Sequence, residues 1–432
     1  MFPTPQWHDL WAAVLFYIHF ALFVGISVYS FVQASHLESP SQPGQSIEWA
    51  WIRYGAVTFG GMAATAIGLT ILTMLAMYKM PETMLHVCFI SNVVLMGAMS
   101  IFNFMGGIIL GGIIFAVIAV IGLVFYFVFR SRIPFSGIIL QTVIDGLKAY
   151  PSMLGITGGS VFLSLVYLIY FAATLASLGA IHEYDRNNNN VTWMSIYVVF
   201  SLFWTSQVLT NTVQTTISGV YATFYFLHGT GQVIFSPVAS SLRRAMTYSF
   251  GSICFGSLIV AIIQLIRYLL SIANDRESIG GAIVDCILGI IEGLVRYFNY
   301  YAYTQIAIYG KPYVQAAKDT WSLVKARGVD AIVNDDLIGT CTSIASLVIA
   351  VISGGVAFLI ALIPYGQPLT NAIVTGVILG IIALVIPYVA FVILTSGATT
   401  TFVCLAEDPS SLQRTKPALY EAIMQKYSMI NL

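Results

Sequence analysis

Three amide side chains lie at regular spacing within one long apolar stretch of this chain. Gln207, Asn211 and Gln214 follow one another after four and three residues, a spacing that places them on one face of a helix. Polar side chains inside a membrane span are costly and mark functional positions by default. Two interpretations are open: the amides join helices through hydrogen bonds, or they line a polar path for a solute. We favour the path, because three large amides on one face exceed what packing requires.

Two acidic residues lie in a second, less apolar segment. Asp285 and Glu292 are seven residues apart, nearly two helical turns, so they also share a face. Glu292 can pair with Arg296 one turn later. Asp285 has no basic residue within one turn, and it is a candidate for attracting a cation or carrying a proton. Arg267 on the preceding segment is an alternative partner for Asp285, and that pairing would give both residues a structural role.

Aromatic side chains are frequent, with 24 tyrosines and 27 phenylalanines among 432 residues. Quaternary ammonium groups are recognised by the faces of aromatic rings, and the candidates for such a cage are Trp204, Tyr221, Phe224 and Tyr225. Tyrosines are also concentrated between residues 297 and 309, where they could form a membrane-interface belt, pack helices together or contact a cation. For that segment we favour a packing role at the end of a helix.

The sequence contains none of the common signatures of enzymes. It has no G-x-S-x-G, H-E-x-x-H or phosphate-binding-loop motif and no cluster of histidines. The five cysteines lack metal-binding spacing such as C-x-x-C, and we expect them to be free thiols. We therefore expect no catalytic residue, no metal site and no cofactor. A net charge of zero without a long basic run argues against a nucleic-acid partner.

The composition places these residues in a membrane protein. The chain is 58% hydrophobic and 8% charged, whereas soluble domains carry about 25% charged residues. A helix needs about 20 apolar residues to span a bilayer. The expected fold is therefore all-α: a polytopic membrane protein with one transmembrane domain over residues 1–432 and about ten transmembrane helices. The predicted spans lie near 10–32, 54–76, 84–104, 105–129, 153–180, 191–213, 249–272, 279–294, 337–363 and 371–405.

Glycine and proline indicate where the longest apolar runs are interrupted. Residues 84–129 are too long for one crossing, and Gly106 with Gly107 marks the turn between two. Residues 371–405 are too short for two crossings, and Pro387 near their middle is expected to kink the helix. Residues 131–152 are predicted to form a short amphipathic helix on the cytoplasmic side of the membrane.

The distribution of basic residues gives the expected orientation. Ten spans put both termini on one side, and a cytoplasmic assignment puts fourteen Lys and Arg residues inside and three outside. Residues 33–53 then form an extracellular loop and 295–336 a cytoplasmic loop. Residues 279–294 must cross the membrane despite their acids, because the basic loop would otherwise lie outside. Asn190 begins a possible glycosylation sequon on the extracellular side, with a chance match in an Asn-rich turn as the alternative.

Six segments, spread in order over nearly the whole chain, carry a resemblance to a known family. They are Trp7-His-Asp-Leu-Trp, Arg132-Ile-Pro-Phe-Ser, Ser218-Gly-Val-Tyr-Ala-Thr-Phe-Tyr-Phe, Arg244-Ala-Met-Thr-Tyr-Ser-Phe-Gly-Ser, Ala302-Tyr-Thr-Gln-Ile-Ala-Ile-Tyr-Gly-Lys and Cys404-Leu-Ala-Glu-Asp-Pro. Together they resemble the choline transporter-like family, and most closely its fungal pH-nine-sensitive branch. The third segment has Phe224 where the family usually has tryptophan.

The resemblance implies a ten-helix solute carrier of the plasma membrane rather than an enzyme. Animal members of the family move choline and related amines, so the implied partners are a small organic amine and the lipid bilayer. A non-transporting structural or regulatory membrane protein, such as a scaffold or lipid organiser, is the alternative. The face that carries Asn211, together with Asp285, favours transport, because simple packing would not need these residues.

Overall fold

The structure, a computed structural model, describes residues 6–36, 49–185, 189–227, 236–273, 279–327 and 329–415, with short pieces at 417, 420–421 and 424–425. Every regular element in these residues is a helix, and none of them forms a strand. Helices satisfy their own backbone hydrogen bonds, which is what a chain with so many long apolar runs requires in lipid. The all-α class predicted from the sequence is confirmed.

The helices are numbered in chain order. Their bounds are α1 (Leu10–Ser35), α2 (Trp49–Lys79), α3 (Pro81–Met105), α4 (Ile109–Phe129), α5 (Ile133–Ala149), α6 (Met153–Tyr184), α7 (Asn189–Leu227), α8 (Pro237–Met246), α9 (Phe250–Ala273), α10 (Ile279–Tyr309), α11 (Tyr313–Arg327), α12 (Val329–Leu362), α13 (Leu369–Ala383), α14 (Val385–Glu407) and α15 (Pro409–Thr415). A short 3-10 turn over Arg130–Arg132 joins α4 to α5.

Nine helical stretches of the described residues are long and apolar enough to cross a membrane. They coincide with nine of the ten predicted spans, so the chain is a multi-pass membrane protein. The remaining predicted span, 279–294, is helical and forms the first part of α10, but it is not among the nine. The distribution of charge predicts that residues 279–294 cross the membrane and that both termini are cytoplasmic, and both statements remain predictions.

Two interruptions of the apolar helices occur at glycine and proline. Gly107 lies between α3 and α4 with φ 76°, a left-handed conformation that costs glycine little. The boundary between α13 and α14 is at Leu384, close before Pro387. Because Pro387 has no N–H, the carbonyl of Ala383 loses the donor that a continuous helix would supply. The sequence singled out both positions.

Most of the predicted cytoplasmic loop 295–336 is helical. α10 continues to Tyr309, α11 covers Tyr313–Arg327, and α12 begins at Val329. The term loop therefore refers to the predicted side of the membrane and not to the conformation of the backbone.

One compact unit of the chain consists of residues 1–44 and 152–326, which contain α1 and α6 to α11. α7 is its central helix and packs against α1, α6, α8, α9 and α10. Phe23 on α1 packs with Tyr167 and Leu178 of α6 in one apolar cluster. Because α7 is surrounded by neighbours, polar residues on it must find partners on other helices.

The second compact unit consists of residues 45–151 and 327–432, which contain α2 to α5 and α12 to α15. α12 packs closely on α13 because both carry glycine at the contact: a Cβ on Gly354 would lie 2.6 Å from the carbonyl oxygen of Gly376. Small residues are the usual means by which membrane helices approach each other. α5, within the predicted amphipathic segment, buries Phe135 against Phe402 of α14.

Candidate functional site

The polar face of α7, which we define as Gln207, Asn211, Gln214 and Ser218, packs among neighbouring helices of the first unit. Gln207 is half-buried and the other three residues are buried. Asn211 is at the centre of this face. Its Nδ2 donates to Ser257 Oγ on α9 at 2.9 Å and to Tyr303 Oη on α10 at 3.3 Å. One amide thus joins three helices. Asn211 and Gln214 are 7% and 0% exposed, so any solute that reaches them is shielded from bulk solvent.

Further hydrogen bonds tie α9, α10 and α11 together next to Asn211. Asn299 donates from Nδ2 to the Gly256 carbonyl at 3.1 Å, and Tyr313 donates from Oη to Asn299 Oδ1 at 2.5 Å. Burial raises the pKa of Tyr313 to about 12, so its hydroxyl keeps the proton that it donates. Gly256 has no room for a side chain, since a Cβ there would lie 2.5 Å from Tyr303 Oη.

The next two turns of the polar face follow α10. Gln214 donates from Nε2 to the Tyr300 carbonyl at 3.0 Å, and Ser218 Oγ lies 3.4 Å from Thr304 Oγ1. Gln214 Oε1 is buried and has no hydrogen-bond partner among the described residues. A buried acceptor without a donor costs about 1–3 kcal/mol, so this oxygen marks a place where a donor of another molecule would be stabilised.

Gln207 links the polar face to a pair of charged residues. With its amide oriented so that the oxygen faces α10, Gln207 accepts hydrogen bonds from Nη1 and Nη2 of Arg296 at 2.9 and 3.2 Å. Arg296 also donates to Glu292 Oε1 from Nε at 2.9 Å and from Nη2 at 2.7 Å. The pairing of Glu292 with Arg296 therefore occurs as their spacing indicated.

Arg267 on α9 joins Glu292 and Asp285, and we call Asp285, Arg267, Glu292 and Arg296 the charge network. Arg267 donates from Nη1 to Glu292 Oε2 at 2.6 Å and from Nε to Asp285 Oδ1 at 2.9 Å. Two carboxylates and two guanidinium groups leave the network neutral. Of the two roles that the sequence left open for Asp285, its contact with Arg267 favours a structural ion pair between α9 and α10.

The four aromatic candidates do not lie together. Trp204 packs against Phe16 and His19 of α1 and donates from Nε1 to the Cys254 carbonyl at 3.2 Å. Tyr221 lies on the same continuous helix seventeen residues later, about 25 Å away at 1.5 Å per residue. Tyr221, Phe224 and Tyr225 are buried near the end of α7. A single cage made by all four is therefore not formed.

Two important partners on this site were not identified from the sequence. Ser257 is a small residue in an apolar helix, and nothing in its surroundings distinguishes it. Tyr303 belongs to the tyrosine-rich segment 297–309 but looked there like one packing residue among several. It is fully buried and reaches Asn211. Asn299, a polar residue within this tyrosine-rich segment, was the feature of the sequence that could have indicated buried hydrogen bonds there.

Asp9 is a further residue that the sequence did not single out. Its Oδ2 accepts hydrogen bonds from Ser252 Oγ at 2.6 Å and from the backbone N–H of Tyr313 at 2.9 Å. The second bond caps the start of α11. Gly251 allows this approach, since a Cβ there would lie 2.4 Å from the Asp9 carbonyl oxygen. The segment before α1 is thereby fixed to α9 and α11.

An open crevice lies at the far end of the polar face. It is formed by the last turns of α7 and α10, by α8, and by the segment between α8 and α9. The residues lining it are Gln6, Thr215, Gly219, Ser241, Arg244, Ala245, Tyr248, Ser249, Ile306, Ala307, Ile308, Tyr309 and Gly310. Thr215 and Gly219 line the crevice from α7 and follow Gln214 and Ser218 in sequence. Because successive residues on a helix point in different directions, the crevice lies beside the polar face and not on it.

The remaining predicted features are placed as follows. Asn190 is exposed in the first turn of α7, and its glycosylation remains a prediction. The five cysteines are free thiols. In the described part of the chain, no group of three or more His, Cys, Asp or Glu side chains is arranged to hold a metal ion.

Comparison with known proteins gives the family. The model of the family described as plasma-membrane choline transporter matches residues 113–410. A CTL-like protein of Dictyostelium discoideum is 32% identical over an alignment that covers 99% of this chain and 77% of that protein. The fungal protein PNS1 of Yarrowia lipolytica is 32% identical, with 98% of this chain and 79% of that protein covered.

A second fungal relative agrees with these matches. PNS1 of Candida albicans is 34% identical over 81% of this chain and 72% of its own length. The family match covers α5 to α14 entirely and so includes the polar face, the charge network and all of the crevice except Gln6. The chain belongs to the choline transporter-like family.

Proposed function

We propose that this protein transports a small organic cation of the choline type across the plasma membrane, along the polar face of α7. The observation that carries the proposal is the row of polar contacts along one face of α7, from Gln207 through the buried Asn211 and Gln214 to Ser218. Membership of a transporter-like family supports transport as the activity.

A solute path accounts for this arrangement better than helix packing alone does. A hydrogen bond between membrane helices contributes only about 0.6 kcal/mol on average, and the buried Gln214 Oε1 works against stability because it has no partner among the described residues. A solute that carries a hydroxyl or an N–H could donate to this oxygen. Choline has one hydroxyl group, which could donate to Gln214 Oε1.

The aromatic ring of Tyr303, which contacts Asn211, and the neighbouring ring of Tyr313 support a cationic substrate. Tyr303 and Tyr313 lie with ring centroids 6.4 Å apart, and tyrosine ring faces attract quaternary ammonium groups without a hydrogen bond. The neutral charge network at one end of the face also avoids a fixed positive charge that would repel the solute. The description of the matching family names choline and the plasma membrane, which supports both as the specific substrate class and location.

Competition between charged and uncharged solutes tests the proposal. Purified protein is placed in lipid vesicles, and uptake of labelled choline is measured with an excess of unlabelled choline or of its uncharged isostere 3,3-dimethylbutanol. We expect choline to compete and the isostere to compete much more weakly, because only choline carries the positive charge. Equal competition by both molecules would remove cation recognition from the mechanism.

A further inference from the structure

The crevice at the end of α7 differs in charge from the rest of the polar face. Arg244 is the only charged residue among those that line it in the described part of the chain, and no Asp or Glu is among them. Lys311 lies close by, with Nζ 4.3 Å from the centre of the Tyr309 ring and 2.8 Å from Asp319. A cation would be repelled here, so the crevice is not suited to the proposed substrate.

Arg244 is held in place inside the crevice. Arg244 Nη2 donates a hydrogen bond to Ser241 Oγ, which is 3.1 Å away and lies three residues earlier on α8. Burial lowers the pKa of Arg244, yet a guanidinium keeps its proton throughout the physiological range. A planar guanidinium with five N–H donors matches the oxygens of phosphate in geometry and charge.

The size of the crevice limits what it can hold. The cavity volume is about 30 Å³ for a water-sized sphere. One water needs roughly 10–15 Å³ by the same measure. The crevice therefore has room for a group of a few atoms. Ser241 and Ser249 line this space beside Arg244, whereas the Thr215 hydroxyl donates to the Asn211 carbonyl of its own helix. A single tetrahedral anionic group fits these dimensions, with Arg244 as its main donor.

We propose that the Arg244 crevice binds the phosphate group of an anionic ligand, either the headgroup of a membrane lipid or a soluble phosphate. In the predicted orientation the end of α7 lies at the cytoplasmic face, where anionic lipids are enriched. α8 fits such a boundary, since it buries Val238 and Ala245 and exposes Arg243 and Met246. This site is separate from the proposed cation path and does not depend on its substrate.

Binding of two probes to the purified full-length protein tests the site and distinguishes the sources. Inorganic phosphate and a water-soluble short-chain phosphatidylinositol 4-phosphate are titrated separately, and the dissociation constants are measured. Binding of the lipid alone would identify a headgroup site, and binding of phosphate alone a soluble ligand. We expect Arg244→Gln to weaken binding about ten-fold or more, because charge-assisted hydrogen bonds are roughly twice as strong as neutral ones.

Two further variants control the result. Arg243→Gln removes the neighbouring exposed charge, which does not line the crevice, and is expected to bind the probe like the wild type. Gly219→Ala puts a methyl group into the crevice 2.9 Å from Ser241 Oγ and 3.5 Å from Arg244 Nη2. The Ser241 side chain must then shift, so the variant is expected to weaken binding without removing charge. If Arg244→Gln does not fold, probe binding by Gly219→Ala tests the site in its place. The proposal is overturned if neither probe binds, if Arg243→Gln is weakened as much as Arg244→Gln, or if Gly219→Ala binds normally.

Discussion

Asn211 is the residue at which three helices of the first unit share one polar contact. Its amide reaches Ser257 and Tyr303, which lie 46 and 92 residues further along the chain. Those two hydrogen bonds are compatible with packing and with a lining role, and only a functional measurement separates the roles. The loss of a hydrogen bond between membrane helices costs little stability, so folding and transport should respond differently.

We expect Asn211→Leu to reduce choline uptake at least about ten-fold while lowering the thermal midpoint in detergent only slightly. The matched control is Thr216→Val, which removes a buried hydroxyl on the opposite side of α7 whose described bond goes to its own helix at Thr212 O. That control should transport normally. If Asn211→Leu is unfolded or absent from the membrane, Asn211 is a packing residue.

The sequence identified the polar face but not the residues that it contacts. The period of Gln207, Asn211 and Gln214 is local information, and a helix converts it directly into a common face. The partner Ser257 comes from another helix, and no spacing within one segment shows which helices become neighbours. For the same reason Asp9, which reaches Tyr313 across 304 residues, could not be found from the sequence.

At the scale of helices, the charge network determines how α9 and α10 are joined. Arg267 is the only member on α9, and it contacts both acids of α10. An acid and a base in apolar surroundings are tolerated when they are paired, whereas removing one partner leaves an uncompensated charge. The network therefore explains how α10 carries two carboxylates in a segment that is predicted to cross the membrane.

A double-mutant cycle measures this coupling. Arg267→Gln alone should lower the thermal midpoint, and adding Asp285→Asn should restore part of the loss, because it removes the charge left without its partner. We expect the two effects to be non-additive, as found for residues in one network. Strictly additive effects would mean that the pair does not stabilise the helices. Loss of transport in folded Asp285→Asn, with a changed pH profile, would instead give Asp285 a role in the mechanism.

The sequence predicted the positions of the helices more accurately than it predicted which side chains come together. Long apolar runs, Gly107 and Pro387 act locally, and they predicted the helices and the interruptions between α3 and α4 and between α13 and α14. The aromatic cage fails because it required Trp204 and Tyr221, on one helix, to converge. Two residues seventeen positions apart on a continuous helix cannot meet around one small cation.

For the whole molecule, the orientation in the membrane is the main prediction that depends on α10. Single cysteines are introduced at Ser39, Gln367 and Lys325 in a background without the five native cysteines, and intact cells are treated with an impermeant thiol reagent. We expect labelling at positions 39 and 367 only, because ten crossings place 325 in the cytoplasm. Labelling at position 325 would mean that residues 279–294 do not cross.

Transport of a choline-like cation by this chain can be measured as uptake in a defined system. Purified protein is reconstituted into phosphatidylcholine vesicles, and accumulation of labelled choline is followed against protein-free vesicles and vesicles that carry Asn211→Leu. We expect time-dependent, saturable uptake with the wild type, inhibited by excess unlabelled choline, and little uptake in either control. If folded wild-type protein takes up choline and a panel of related amines no faster than protein-free vesicles do, the chain does not transport such cations and a structural or regulatory role is favoured.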